Sequence, residues 1–127
     1  MTWLRLRTRR RSPLSRSVGN GHSAICWAVV DGTGRFVYAT NFADGAVSRY
    51  EVSADGSLTL AAATAGTAVE AHPGLRDEDL SGDGHYLYAI DADAHRIFGW
   101  HVGHDGQLTP VGSRNGLPDS VAGLAAN

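Results

Sequence analysis

Residues 35–59 read RFVYATNFADGAVSRYEVSADGSLT, and fifty residues later 85–109 read HYLYAIDADAHRIFGWHVGHDGQLT, aligned without a gap. Gly32, Gly34, Tyr38, Ala39, Val52, Asp55, Gly56, Leu58 and Thr59 meet the identical residue at Gly82, Gly84, Tyr88, Ala89, Val102, Asp105, Gly106, Leu108 and Thr109. A repeat of this length, built from short apolar runs and Asp-Gly turns, predicts propeller blades and not a helical solenoid.

Outward from that stretch, ICWAVV at 25–30 is a continuous apolar run stopped by Asp31-Gly32-Thr33-Gly34, which predicts a strand buried on both faces. Strands at 36–41 and 46–53 follow, and Ala54-Asp55-Gly56 supplies the next reversal, since Asp favours turn starts and Gly accepts positive φ. A strand at 58–65 completes a four-stranded antiparallel blade. The connector 66–76 carries the breakers Gly66, Pro73 and Gly74. By offset, Asp77-Glu78-Asp79-Leu80-Ser81 then takes the place of the first strand, with 86–90, 96–102 and 108–111 repeating the others. Asn115-Gly116-Leu117-Pro118 ends the pattern, and 121–126 is a small-residue tail expected to add one further strand.

Length allows one domain of 127 residues, too short for a complete propeller at this blade size. No apolar run approaches the ~18 residues that span a bilayer, so no membrane association is expected. All 11 basic residues are Arg, and six of them fall in the first twenty residues, which hold no acid. The remainder carries five Arg against 13 Asp and Glu, a balance of −8 that argues against nucleic-acid binding by the repeats. Residues 1–20 therefore read as an Arg-rich disordered or non-native leader. Arg9, Arg10 and Arg11 are not followed by the apolar stretch of a signal peptide, which leaves the cytoplasm as the default compartment. Cys26 stands alone, which excludes an internal disulfide; within its apolar run, it is expected to be a small core residue.

From about Gly19 to its end, the chain resembles the C-terminal part of the lactonase-family seven-bladed β-propellers, the bacterial 6-phosphogluconolactonase-like proteins related to carboxymuconate-cyclising enzymes. The likeness rests on GNGHSAICWAVVDGTGRFVYATN, YEVSADGSLTL, DLSGDGHYLYAID, WHVGHDGQLTPVG and the closing GLPDSVAGLAAN. It implies an all-β partial propeller: two four-stranded antiparallel blades at about 25–66 and 76–112, plus the tail. It also implies a parent activity, hydrolysis of a sugar-acid lactone, and a small-molecule lactone as partner of the complete ring. Two blades leave one face of each uncovered. The chain is accordingly expected to be inactive alone and to self-associate through its blade faces, or else to be a non-catalytic binding module or a truncated remnant.

A propeller works at the mouth of its central channel, so the candidate residues are those of the innermost strands and the connector. Asp77 and Glu78 are the candidate catalytic carboxyls, with His72 as general base. Arg76 and Asp79 are the candidate substrate-binding groups. Asp77 stands where relatives carry an Asp in a Pro-x-Asp pattern, with Leu75 in place of the Pro. Each has a plainer alternative, in which the Asp residues only bridge strands and His72 is a solvated loop residue. No cofactor or metal is expected. Asp91, Asp93 and His95 alternate like ligands but align with Asn41, Ala43 and Gly45 at the start of a turn. Trp27, Trp100, Tyr38, Tyr50, Tyr86 and Tyr88 are expected to pack in the core.

Overall fold

The computed structural model describes residues 18–68, 73–118, 120, 121 and 123–127. These form eight strands: β1 (Ile25–Val30), β2 (Phe36–Asn41), β3 (Ala46–Val52), β4 (Leu58–Thr67), β5 (Leu75–Leu80), β6 (Tyr86–Asp91), β7 (Arg96–Val102) and β8 (Leu108–Asn115). They make two four-stranded antiparallel sheets, ordered β1-β2-β3-β4 and β5-β6-β7-β8, each a meander joined by tight turns. The described residues contain no helix.

The repeat holds down to single hydrogen bonds. Asp31 N–H donates to Phe36 O and Ser81 N–H to Tyr86 O, while Val52 N–H donates to Arg35 O and Val102 N–H to His85 O. At the other end of the strands, Phe42 N–H donates to Ala24 O, and Ala92 N–H to Gly74 O. Asp55 and Asp105 each accept an amide two residues on, from Ser57 and Gln107, which is how Asp sets these turns.

The core lies between the blades. Phe36, Tyr38 and Val47 of blade one pack with Leu75, Leu87, Ala89, Phe98 and Trp100 of blade two. Tyr38 is fully buried, and its hydroxyl donates across the junction to Gly106 O at 2.7 Å. Gly106 adopts φ +86, and a Cβ there would sit 3.0 Å from the Phe36 ring. Both the turn and the close approach require glycine at this point. Thr40, also fully buried, donates its hydroxyl to Arg76 O at 2.6 Å.

Four expectations change in the structure. Ile25–Val30 is a strand but not a doubly buried one: Ile25 and Val30 are 48% and 56% exposed, because β1 pairs only with β2 and stands at the edge of its sheet. Cys26 is exposed for the same reason. The tail residues 123–127 form no strand ladder, since the Leu124 and Ala126 amides go to side-chain carboxylates instead of backbone carbonyls. Of the six aromatics, Tyr38, Tyr50 and Trp100 are buried, whereas Trp27, Tyr86 and Tyr88 are half-buried.

Tyr38→Phe leaves the Gly106 carbonyl buried without its donor, and is expected to cost about 1–2 kcal/mol of stability, read as a lower midpoint in urea unfolding.

Candidate functional site

The inner strand of blade two, LRDEDL, is an unusual strand sequence, because Asp and Glu do little for a pleated surface. The structure shows what holds it. Its pairing with β6 runs Leu75↔Asp91, then Glu78↔Ala89, so the register slips by one across Arg76 and Asp77. Such bulges re-aim side chains and free backbone groups. Here, the Arg76 carbonyl is taken by the Thr40 hydroxyl.

The acidic run splits between two sides of the strand. Asp77 Oδ1 accepts the Glu78 amide at 2.9 Å, and its Oδ2 accepts the Leu124 amide at 2.8 Å. Asp79 repeats the arrangement with the Leu80 amide at 2.9 Å and the Ala126 amide at 2.8 Å. The two carboxylates thus run the tail parallel to β5. Glu78, paired opposite Ala89, points the other way into the junction between the blades. It is 5% exposed, and neither carboxyl oxygen has a hydrogen-bond partner. Desolvation pushes its pKa up to about 9; the Thr40 amide on that side pulls it down without reaching bonding geometry, and the Asp77 charge adds to the rise. Glu78 is therefore a neutral carboxylic acid near pH 7.

Arg76 lies on the same strand, with its guanidinium carbon 5.3 Å from the centre of the Phe42 ring and its Nε buried without a hydrogen-bond partner. The structure brings Arg76, Asp77, Glu78 and Asp79 together on one strand beside Thr40 and the tail. His72 lies outside the described residues. Asp91 Oδ1 accepts the Ala94 amide at 2.9 Å within a turn, and among the described residues no group of three His, Cys, Asp or Glu is placed to hold a metal ion.

Two features escape the reading of the sequence. His22 Nδ1 lies 2.7 Å from Asp44 Oδ2, and its Nε2 lies 2.9 Å from Ala63 O. The repeat offers the signal that would have found it, since fifty residues on from His22 stands His72, and fifty on from Asp44 stands Ala94. At the opposite end of the strands from the connector, a cleft of about 530 Å³ lies between the blades, lined by Arg35, His85, His101 and His104 together with Asp31 and Asp83. Both carboxylates there are committed to their own turns. Asp31, although raised by partial burial, is held below the usual carboxylate range by the Thr33 hydroxyl and the Phe36 and Arg35 amides. No sequence signal marked that cleft, because its groups come from three separate turns.

Residues 5–122 match the family described as lactonase, 7-bladed β-propeller. The chain belongs to this lactonase family. Among solved structures, a putative 6-phosphogluconolactonase from Bacteroides uniformis is 22% identical, over 72% of this chain and 26% of that one, with a TM-score of 0.60. A protein from Lactobacillus plantarum is 16% identical over 83% of this chain and 31% of that one, at 0.64. The periplasmic gluconolactonase of Pseudomonas aeruginosa is 16% identical over 76% and 27%, at 0.55. These likenesses show the fold. The lactonase-family chain spans about a quarter to a third of the length of these relatives. No curated protein matches it in sequence.

Glu78 yields a pH prediction whose sign follows from its raised folded-state pKa. Between the unfolded carboxyl value and about 9, the folded chain binds the extra proton, so stability falls as pH rises through that window and levels off above it. Glu78→Gln removes the group, and is expected to flatten the Tm between pH 5 and 9 and to stabilise the chain by about 2–4 kcal/mol at pH 8. A variant with the wild-type pH slope would show that Glu78 is ionised in the fold.

Proposed function

We propose that this chain is a two-blade wedge of a lactone-hydrolysing propeller, with β5 supplying the acidic margin of its mouth. The observation that carries the reading is the division of labour on β5. Burial keeps Glu78 protonated, while Asp77 and Asp79 beside it serve as acceptors. Neighbouring carboxyls whose surroundings set them different tasks are a common basis of acid and base roles. Family membership, together with one relative named a putative 6-phosphogluconolactonase and another named a periplasmic gluconolactonase, supports a lactone as the substrate class.

Hydrolysis joins a water oxygen to the lactone carbonyl carbon and breaks the bond from that carbon to the ring oxygen. One group takes a proton from the water, another returns one to the leaving ring oxygen, and a cation steadies the charge that gathers on the carbonyl oxygen. Glu78 has the protonation state of the donor. Arg76, with an unpartnered Nε, suits the developing oxyanion or a substrate phosphate. Asp79 suits the hydroxyls of a sugar acid, and Asp77 shares the water-activating role with His72. One wedge presents one margin of a mouth, so the chain alone is inactive.

A second reading, a non-catalytic binding module, draws on one observation: the tail amides already occupy Asp77 and Asp79.

The test is hydrolysis of gluconolactone and its 6-phosphate by this chain alone and by the chain joined to five further blades of a family relative. The wedge is expected to show no rate above background, and the ring to turn over. Glu78→Gln and Asp77→Asn are each expected to lower kcat in the ring by ~10²-fold or more. A ring indifferent to both substitutions, or one without activity, favours the module.

A further inference from the structure

At the end of the strands away from the connector, the cleft of about 530 Å³ between the blades gathers basic side chains from separate parts of the chain. Arg35 comes from the turn between β1 and β2, His85 from the turn between β5 and β6, His101 from β7 and His104 from the turn that follows it. Two carboxylates share the cleft, and the opposite charges are used differently. Asp31 Oδ2 accepts the Thr33 hydroxyl at 2.7 Å, and its Oδ1 accepts the Arg35 and Phe36 amides at 3.0 and 3.1 Å. Asp83 Oδ1 accepts the Ser81 hydroxyl at 2.6 Å and the His85 amide at 3.0 Å, while its Oδ2 lies 3.4 Å from His85 Nδ1. Asp105, beside His104 in sequence, accepts the Gln107 amide in its own turn at 3.2 Å. The acceptors here are fixed within their turns.

The basic groups are not. Arg35 sets its guanidinium carbon 4.8 Å from the centre of the Phe36 ring, and His101 meets the Tyr86 ring edge to face at 5.5 Å. Neither contact uses an acceptor. Among the described residues, no carboxylate or carbonyl takes a hydrogen bond from the side chain of Arg35, His101 or His104. Nor are the imidazoles placed to share a metal ion with other described groups. The blade does not dictate them either, since fifty residues before His101 and His104 stand Glu51 and Ala54 on the same strand and turn of blade one.

We propose that this cleft binds a small phosphorylated anion, and holds it more tightly at pH 6 than at pH 8. Free donors facing occupied acceptors favour an anionic ligand. Because those donors arrive from both blades, a tetrahedral phosphate, with oxygens pointing in several directions, suits them better than a carboxylate, whose two oxygens share one plane. The volume falls within the roughly 300–1,000 Å³ of small-molecule sites, which leaves room for a second group beside one phosphate. Histidine is the side chain that gains charge as pH falls from about 8 to about 5. With neutral imidazoles, Arg35 alone faces Asp31 and Asp83; with all three protonated, four cations face the same two anions. A phosphate monoester still carries about −1.5 charge at pH 6, so the attraction grows over this range. The inference uses no residue of β5 and stands whether or not the completed ring hydrolyses lactones.

Titration of the full chain with inorganic pyrophosphate tests it, by calorimetry and by the histidine ring signals in NMR, at pH 6 and pH 8 in about 0.1 M salt. Saturable binding with a dissociation constant below about 1 mM is expected at pH 6, weakening at least ~10-fold at pH 8. Arg35→Gln and His101→Gln, both at exposed positions, are each expected to weaken it at least ~5-fold at pH 6 with unchanged far-UV circular dichroism. Changing His101 and His104 together to Gln is expected to reduce the pH effect to less than ~3-fold, and citrate to bind at least ~5-fold more weakly than pyrophosphate. The proposal is overturned by the absence of saturation at pH 6, by equal affinity at the two pH values, by binding that survives both single substitutions, or by citrate binding as tightly as pyrophosphate.

Discussion

A sheet of four strands has two faces, and water is a poor cover for either when one carries Phe36, Tyr38 and Val47 and the other Ala39, Asn41, Ser48 and Tyr50. This need to cover both faces orders the rest of the structure. Blade one satisfies it on one side with blade two, burying Tyr38 and Val47, and on the other with residues 18–24. The first cover is mainly apolar and the second mainly polar. The blade junction removes large side chains from water, where most of the stabilisation arises, and Tyr38 and Thr40 add one cross-blade hydrogen bond each. Residues 18–24 instead bring Asn20 into a buried amide and hydroxyl network with Asn41 and Ser48, whose members would be costly if left unpaired.

The same constraint accounts for an inversion between the two inner strands. ICWAVV reads as interior and is largely exposed, while LRDEDL reads as surface and is half-buried or buried. What differs is the neighbourhood. Both stand at the edge of their sheets, but β5 has blade one on one side and the tail on the other. Polar side chains survive there because most find partners: Asp77 and Asp79 each meet two amides, and Arg76 lies over Phe42. Glu78 finds none and is accommodated as the neutral acid.

The fold was legible because the repeat is local. Asp-Gly turns set every reversal except that between β6 and β7, where His95 takes the positive φ, and a fifty-residue offset carries one blade onto the next, so the strands lie within a few residues of where the sequence places them, with β4 and β8 running on to Thr67 and Asn115. Burial was less legible, as Cys26 and Ile25 show: whether an apolar strand is covered depends on what lies beside it, which periodicity within the strand does not encode. The candidate site was half legible. The offset put an acidic run on an inner strand, but nothing in DED says that the middle carboxyl turns into the blade junction while its neighbours hold the tail; that division follows from strand alternation after the bulge at Arg76 and Asp77. His22 repeats as His72, but its partner Asp44 meets Ala94 at the same offset, so the repeat marks the histidine and not the pair.

The two blades also serve as each other's control. They share turns, register and hydrogen bonds, so a position where they differ is one where this blade architecture does not dictate the residue. At the inner strand, Cys26, Trp27, Ala28 and Val29 are replaced in succession by Arg76, Asp77, Glu78 and Asp79. Blade one shows that a four-stranded blade forms with an apolar sequence at these places, and blade two forms the same blade around a carboxyl that lacks any hydrogen-bond partner. Local choices that run against folding, while the rest of the sequence agrees with it, concentrate where a chain has another task. On β5 that description fits Glu78, whose carboxyl is buried without a partner, whereas Asp77 and Asp79 depart from the blade-one sequence to hold the tail, and Arg76 lies over Phe42.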